Sequence, residues 1–322
     1  MSTAVENHQS PNSSSSLRGM VTRHPVAAFL VMAFAFGWGA MLPLLLSESG
    51  FGVLPIYLPW KPFASMLSVF GLALPAFLVT AAIGGKASVR DLLSRCFRWR
   101  VGVHWYLIAL FGLLVATLLG ALPFLGVAPL EALAQNWSLL FTVFLWGVLV
   151  PFVIVNVFEE TGWTGFMQHT LQERHGALLA SIMVAPAFAF IHLPAFFVAG
   201  WINDEPTPLS QLPAVLLQVG IMSVFAIFIR VVIMWLYNSS GRSVLIVALF
   251  HSAFNMTNGQ KITPQLLLLP EDLASLIPAL AVLVLAVLLV AFTRGRFGYK
   301  PERAAPRPSA EAVGVAAQPR VQ

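Results

Sequence analysis

Charge is what this sequence has least of. Of its 322 residues only 10% are Asp, Glu, Lys or Arg, against about a quarter in an ordinary soluble domain. Such a chain cannot cover a water-facing surface with polar side chains, so a soluble fold is excluded. Cysteine is scarcer still. Cys96 stands alone, so no internal disulfide can brace the fold. Acids are short even against bases, 13 to 18, which leaves a net charge of +5. In a soluble protein that balance would suggest nucleic acid. In a chain solvated by lipid the basic residues are topology signals, and no nucleic-acid partner is implied. An H-E-x-x-H motif is also missing, which removes the common soluble zinc-protease pattern.

What the chain does have is long apolar runs. Hydrophobic residues make up 58% of it, and the mean hydropathy is +0.83. About 20 apolar residues are needed for a helix to cross a bilayer. Eight stretches meet or approach that length: 24–47, 62–84, 104–126, 138–158, 177–200, 213–237, 243–258 and 274–293. The seventh is the shortest. Lipid cannot satisfy open backbone groups, and runs this long do not suit barrel strands. The expected fold is therefore all-α, a polytopic membrane helix bundle of about eight transmembrane helices. Apart from Lys61, Lys261 and Arg230, the 18 lysines and arginines fall on one side if odd spans run from inside to outside. That bias predicts an even number of spans with both termini cytoplasmic.

Three regions follow. Residues 1–23 are polar and read as a disordered cytoplasmic N-terminus. Residues 24–298 form the transmembrane domain. Residues 299–322, rich in Pro, Ala and Arg, read as a disordered cytoplasmic tail. Within the domain, KASVRDLLSRCFRWR (86–100) carries Val89, Leu92, Leu93, Cys96 and Phe97 at helical spacing between basic residues. This pattern predicts an interfacial helix resting on anionic headgroups, with membrane lipids as its partners.

Ionisable groups inside a bilayer cost about 2.5–3.5 kcal/mol each on insertion scales, so they persist mainly where they pair or act. Few occur here. Glu159 and Glu160 end the fourth predicted span, His192 lies in the fifth, Arg230 in the sixth, and His251 and Asn255 in the seventh. Adjacent glutamates point about 100° apart on a helix. One can face a cavity while the other bonds to a neighbour; equally, both can mark a helix start at the membrane surface. The apolar residues Trp163, Phe166, Met167 and Leu171 predict a second helix after the pair, ended by Gly176. His192 reads as either a packed histidine or a ligand, with Phe188 on the same face. His251 and Asn255 share a face at i,i+4, as a site or as an interhelical hydrogen-bonding pair. Taken together they supply a hydrolytic set. Glu159, His192 and His251 could hold a catalytic zinc, or the same groups could activate water without metal.

The succession E-E, then F-x-x-x-H, then H-x-x-x-N on consecutive apolar helices resembles the CPBP (CAAX protease and bacteriocin-processing, or ABI) intramembrane proteases, relatives of the type II CAAX prenyl endopeptidase. The residues that carry it are Glu159 and Glu160 with GWTGF, Phe188 with His192, and His251 with Asn255. The core of the resemblance covers about 140–260. It implies an endopeptidase of a prokaryotic cytoplasmic membrane that acts on a membrane-associated protein or peptide. Glu159 would be the water-activating base, with His192 assisting and Glu160 in support, while His251 and Asn255 would steady the oxyanion. Zinc-dependent and metal-free glutamate mechanisms are both implied. The family's first motif usually reads E-E-x-x-x-R, and here that arginine position is Thr164. The departure admits an alternative, a non-catalytic protein on the same scaffold in bacteriocin self-immunity or partner binding. It also makes Arg230 a candidate substitute cation, and a gain of activity in Thr164→Arg would identify the departure as functional.

Overall fold

The computed structural model describes residues 13–258 and 262–300. Of the two expected disordered ends, 1–12 and 301–322 lie outside the described residues. Ser13–Arg23 is a helix, α1. Among the described residues, seven further helices are long and apolar enough to cross a membrane: α2 (Pro25–Leu46), α3 (Trp60–Cys96), α4 (Val103–Leu125), α6 (Leu140–His175), α7 (Ala177–Phe197), α8 (Leu209–Ser239) and α11 (Glu271–Thr293). Short helices α5 (Ala128–Asn136) and α10 (Thr263–Leu266) lie in connections. The protein is an all-helical, polytopic membrane bundle.

The predicted span over 243–258 is a shorter helix, α9 (Val244–Thr257), of 14 residues. At 1.5 Å per residue it rises about 21 Å, less than the hydrocarbon thickness. Ser243 caps its start by accepting from the Ile246 N–H. Almost all of its side chains are buried. It packs against α4, α6 and α8, so its length is set by its neighbours and not by the bilayer.

A second difference matters more. No helix end occurs at Glu159–Glu160. The helix runs through both residues to His175 and stops at Gly176, whose φ of +79° allows a one-residue turn into α7. Wide i→i+5 turns occur in α6 at Leu140–Phe144, Phe152–Asn156 and Thr161–Gln168. Such turns recur at functional sites. The glutamate pair sits between the last two.

The predicted interfacial helix is the far end of α3, turned by Gly85 at φ +61° and running to Cys96. Leu93 and Phe97 are exposed, but Leu92 and Cys96 pack into the bundle. Arg95, grouped by sequence with the headgroup-facing cations, is buried. It donates to the Gly165 carbonyl at 2.7 Å and to the Tyr237 hydroxyl at 3.0 Å.

At the opposite end of the bundle, the segment after α7 folds onto the segment after α2. Ala199 N–H donates to Ser49 O at 2.8 Å, and Trp60 stacks on Trp201 at 5.5 Å. Helices α2 and α3 touch backbone to backbone where Gly37 meets Gly71. A Cβ built on Gly71 would lie 2.8 Å from the Gly37 Cα. Gly71→Leu is expected to push these helices apart and lower stability by about 1–3 kcal/mol. Thermal unfolding in detergent checks this, with Val31→Leu on the exposed side of α2 expected to leave the midpoint unchanged.

Candidate active site

Three helices bring the polar residues together. α6 supplies Glu159 and Glu160, α8 supplies Arg230, and α9 supplies His251. The end of α7 adds His192 at the edge. Glu160 and Arg230 are fully buried, while Glu159 and His251 are 6% and 4% exposed.

The adjacent glutamates sit in different surroundings. Glu160 is bound on both oxygens. Arg230 donates to them from Nη1 at 3.0 Å and Nη2 at 2.9 Å, a bidentate pair of the strong kind. His251 Nδ1 donates to Oε1 at 2.7 Å, and the Thr164 hydroxyl donates to Oε2. The absent motif arginine is thus answered twice, by the Thr164 hydroxyl and by a guanidinium from another helix. Phe188 lies under Arg230, its ring centroid 4.5 Å from the guanidinium carbon. The same ring packs edge-on against His192 at 5.0 Å and tilted toward His251 at 5.8 Å. It is therefore both a packing partner and an apolar floor.

Glu159 is held loosely by comparison. Asn156 donates to Oε2 at 3.3 Å and Ser68 to Oε1 at 3.4 Å, while His251 Nδ1 stands 3.7 Å from Oε2. His192 Nε2 is 4.0 Å from Oε1. The His192 ring is oriented by the Phe188 carbonyl, 2.8 Å from Nδ1. Because a carbonyl only accepts, Nδ1 carries the proton, and Nε2 faces the carboxylate as an acceptor. The His192 side chain is 13% exposed, the most open part of the cluster. Asn255 is half-buried one turn beyond His251. Among the described residues no hydrogen bond joins it to either carboxylate.

Asn156 and Ser68 were not legible as site residues. Asn156 offered a weak signal, a buried amide three residues before Glu159 on an otherwise apolar run. A lone serine in α3 offers none.

The zinc set named from sequence is Glu159, His192 and His251. Glu160 stands outside it, and His251 donates to Glu160 from Nδ1, which leaves Nε2 as its open nitrogen. Among the described residues no group of three or more His, Cys, Asp or Glu has metal-holding geometry. What the arrangement offers directly is a loosely held carboxylate beside an imidazole acceptor, backed by a charge-neutralised anchor.

A search of curated proteins returns no match to the chain. The family model described as "Type II CAAX prenyl endopeptidase Rce1-like" matches residues 140–257. That segment contains α6 through α9 and hence all the residues just described except Ser68. The buried Glu159, Glu160 and His251 cluster is consistent with the catalytic site of that family of proteases. Residues 140–257 of this membrane-embedded chain therefore constitute an Rce1-like type II CAAX prenyl endopeptidase family domain.

Proposed function

We propose that the protein is an intramembrane endopeptidase that hydrolyses a peptide bond of a membrane-associated protein or peptide with a water activated by Glu159 and His192. The observation that carries this reading is the 4.0 Å separation of His192 Nε2 and Glu159 Oε1. Both are acceptors, and one water donating a hydrogen to each spans such a gap. Glu159 takes the proton as water attacks the scissile carbonyl, as a general base, and returns it to the leaving amine as the C–N bond breaks. Glu160, saturated by Arg230, Thr164 and His251, is the anchor that sets the His251 ring. The Asn255 amide donates to the tetrahedral oxyanion, and His251 joins it from the nitrogen not bound to Glu160 when both of its ring nitrogens carry a proton. The domain thus spans from the water-activating edge to the oxyanion side. Both termini are placed on the cytoplasmic side by the basic residues.

Asn255→Ala tests the oxyanion assignment in purified protein acting on membrane peptides in liposomes. Losing one such donor is expected to lower kcat about 10²–10³-fold with little change in KM. A KM effect alone would place Asn255 in substrate binding. The non-catalytic alternative drew on the missing motif arginine, and the Arg230–Glu160 pair weakens that ground.

A further inference from the structure

A polar cavity of about 600 Å³ opens at the basic end of the bundle, away from the carboxylate cluster. Three parts of the chain converge there: the end of α3, the turn after α8, and the segment after α11. Ser243 Oγ donates to Arg98 O at 2.7 Å, and Arg98 Nη1 donates to Gly241 O at 2.9 Å, which ties the first two together. Among the described residues the cavity is lined by Arg95, Arg98, Arg242 and Lys300 together with the carboxylate of Asp91. Asp91 is bound by Arg95 at 3.0 Å. Arg95 itself is a built feature and not a loose surface residue. Its side chain is 7% exposed, and its Nε is buried without a hydrogen-bond partner among the described residues. Like charges gathered at the edge of a low-dielectric bundle repel, and an anion between them relieves the repulsion.

Two features set the height of this cavity in the bilayer. Phe97 and Trp99, on either side of Arg98, are 68% and 61% exposed, and Arg100 lies over Trp99 at 5.1 Å. Exposed aromatics interleaved with arginine belong at the headgroup level. The opposite face of the same helix end carries a shallower, mainly apolar groove with Lys86 and Arg90, suited to an interfacial position. We propose that the cavity binds the phosphate of an anionic glycerophospholipid headgroup. Arg95 links the occupant to the candidate active site, because it also holds the Gly165 carbonyl, five residues beyond Glu160 in α6.

Native mass spectrometry of the full chain in detergent tests this, with phosphatidylglycerol and phosphatidylcholine as probes. One phosphatidylglycerol is expected to be retained in preference to phosphatidylcholine. A juxtamembrane cation contributes about 1 kcal/mol toward anionic lipid, so each one lost should weaken retention about fivefold. Arg98→Ala/Lys300→Ala should show both losses. Because Arg98 also bonds Gly241, Lys300→Ala alone is the check that does not depend on that contact. Lys86→Ala/Arg90→Ala, on the other helix face, should retain the lipid. Unchanged retention in both cavity variants, or equal retention of phosphatidylcholine, overturns the proposal. Excess inorganic phosphate should leave the lipid bound. Displacement by it would assign the cavity to a soluble anion and overturn the lipid source.

Discussion

Replacing Glu159 with glutamine is expected to lower kcat about 10²–10⁴-fold, the range a positioned general base contributes, while the bundle stays folded. The two halves of this result have separate physical causes. The substituted amide keeps a carbonyl oxygen that can accept from Asn156 or Ser68, so the side chain stays anchored. The charge that is lost is not the one that balances Arg230, since that guanidinium lies on Glu160. What disappears is the capacity to take a proton from water. Cleavage of a membrane peptide in liposomes, alongside a thermal unfolding midpoint, separates the outcomes. Retained cleavage at the wild-type rate would remove Glu159 from the mechanism.

Arg230→Ala is expected to do the reverse and strike the fold first. It leaves Glu160 fully buried without its bidentate partner. Breaking a buried ion pair from one side costs about 3–5 kcal/mol. Arg230→Met/Glu160→Gln removes both charges and should recover most of that loss, while cleavage stays low because His251 loses its anionic anchor. A double-variant comparison of unfolding in detergent measures the coupling. Thr164→Arg extends the test, and the structure gives it an expected sign. With Arg230 already on both oxygens of Glu160, a second guanidinium one turn away meets a like charge and should lower activity. In the Arg230→Ala background the same substitution should restore stability, because it returns a cation to Glu160. A gain of activity from Thr164→Arg in the otherwise native chain would refute this placement of the charge.

The apolar runs made the architecture readable, because lipid demands about 20 such residues per crossing. The ends of α2, α4 and α11 fall within a few residues of expectation for that reason. The failures share a different cause. Two adjacent acids look like a helix end when read locally, yet α6 continues because Arg230 and His251 arrive from 70 and 91 residues away. Arg95 is indistinguishable in sequence from Arg98, and only the packing of Tyr237 and Gly165 against it makes it an internal brace. The catalytic candidates were legible because ionisable groups in apolar helices are rare enough to enumerate. Their supporting residues, Asn156 and Ser68, were not, since an amide or a hydroxyl in such a helix carries little cost and so little signal.

The Arg230–Glu160 pair also has a consequence for biogenesis. Glu160 enters the translocon on α6 before its counter-ion has been synthesised, and Arg230 follows 70 residues later. At about 5–20 residues per second that interval is about 4–14 s. During it the nascent α6 carries an uncompensated carboxylate, which makes free release into lipid unfavourable. Retention beside the insertion machinery until α8 emerges would bring the two helices together at birth, with charge neutralisation as the step that commits the pair to the bilayer.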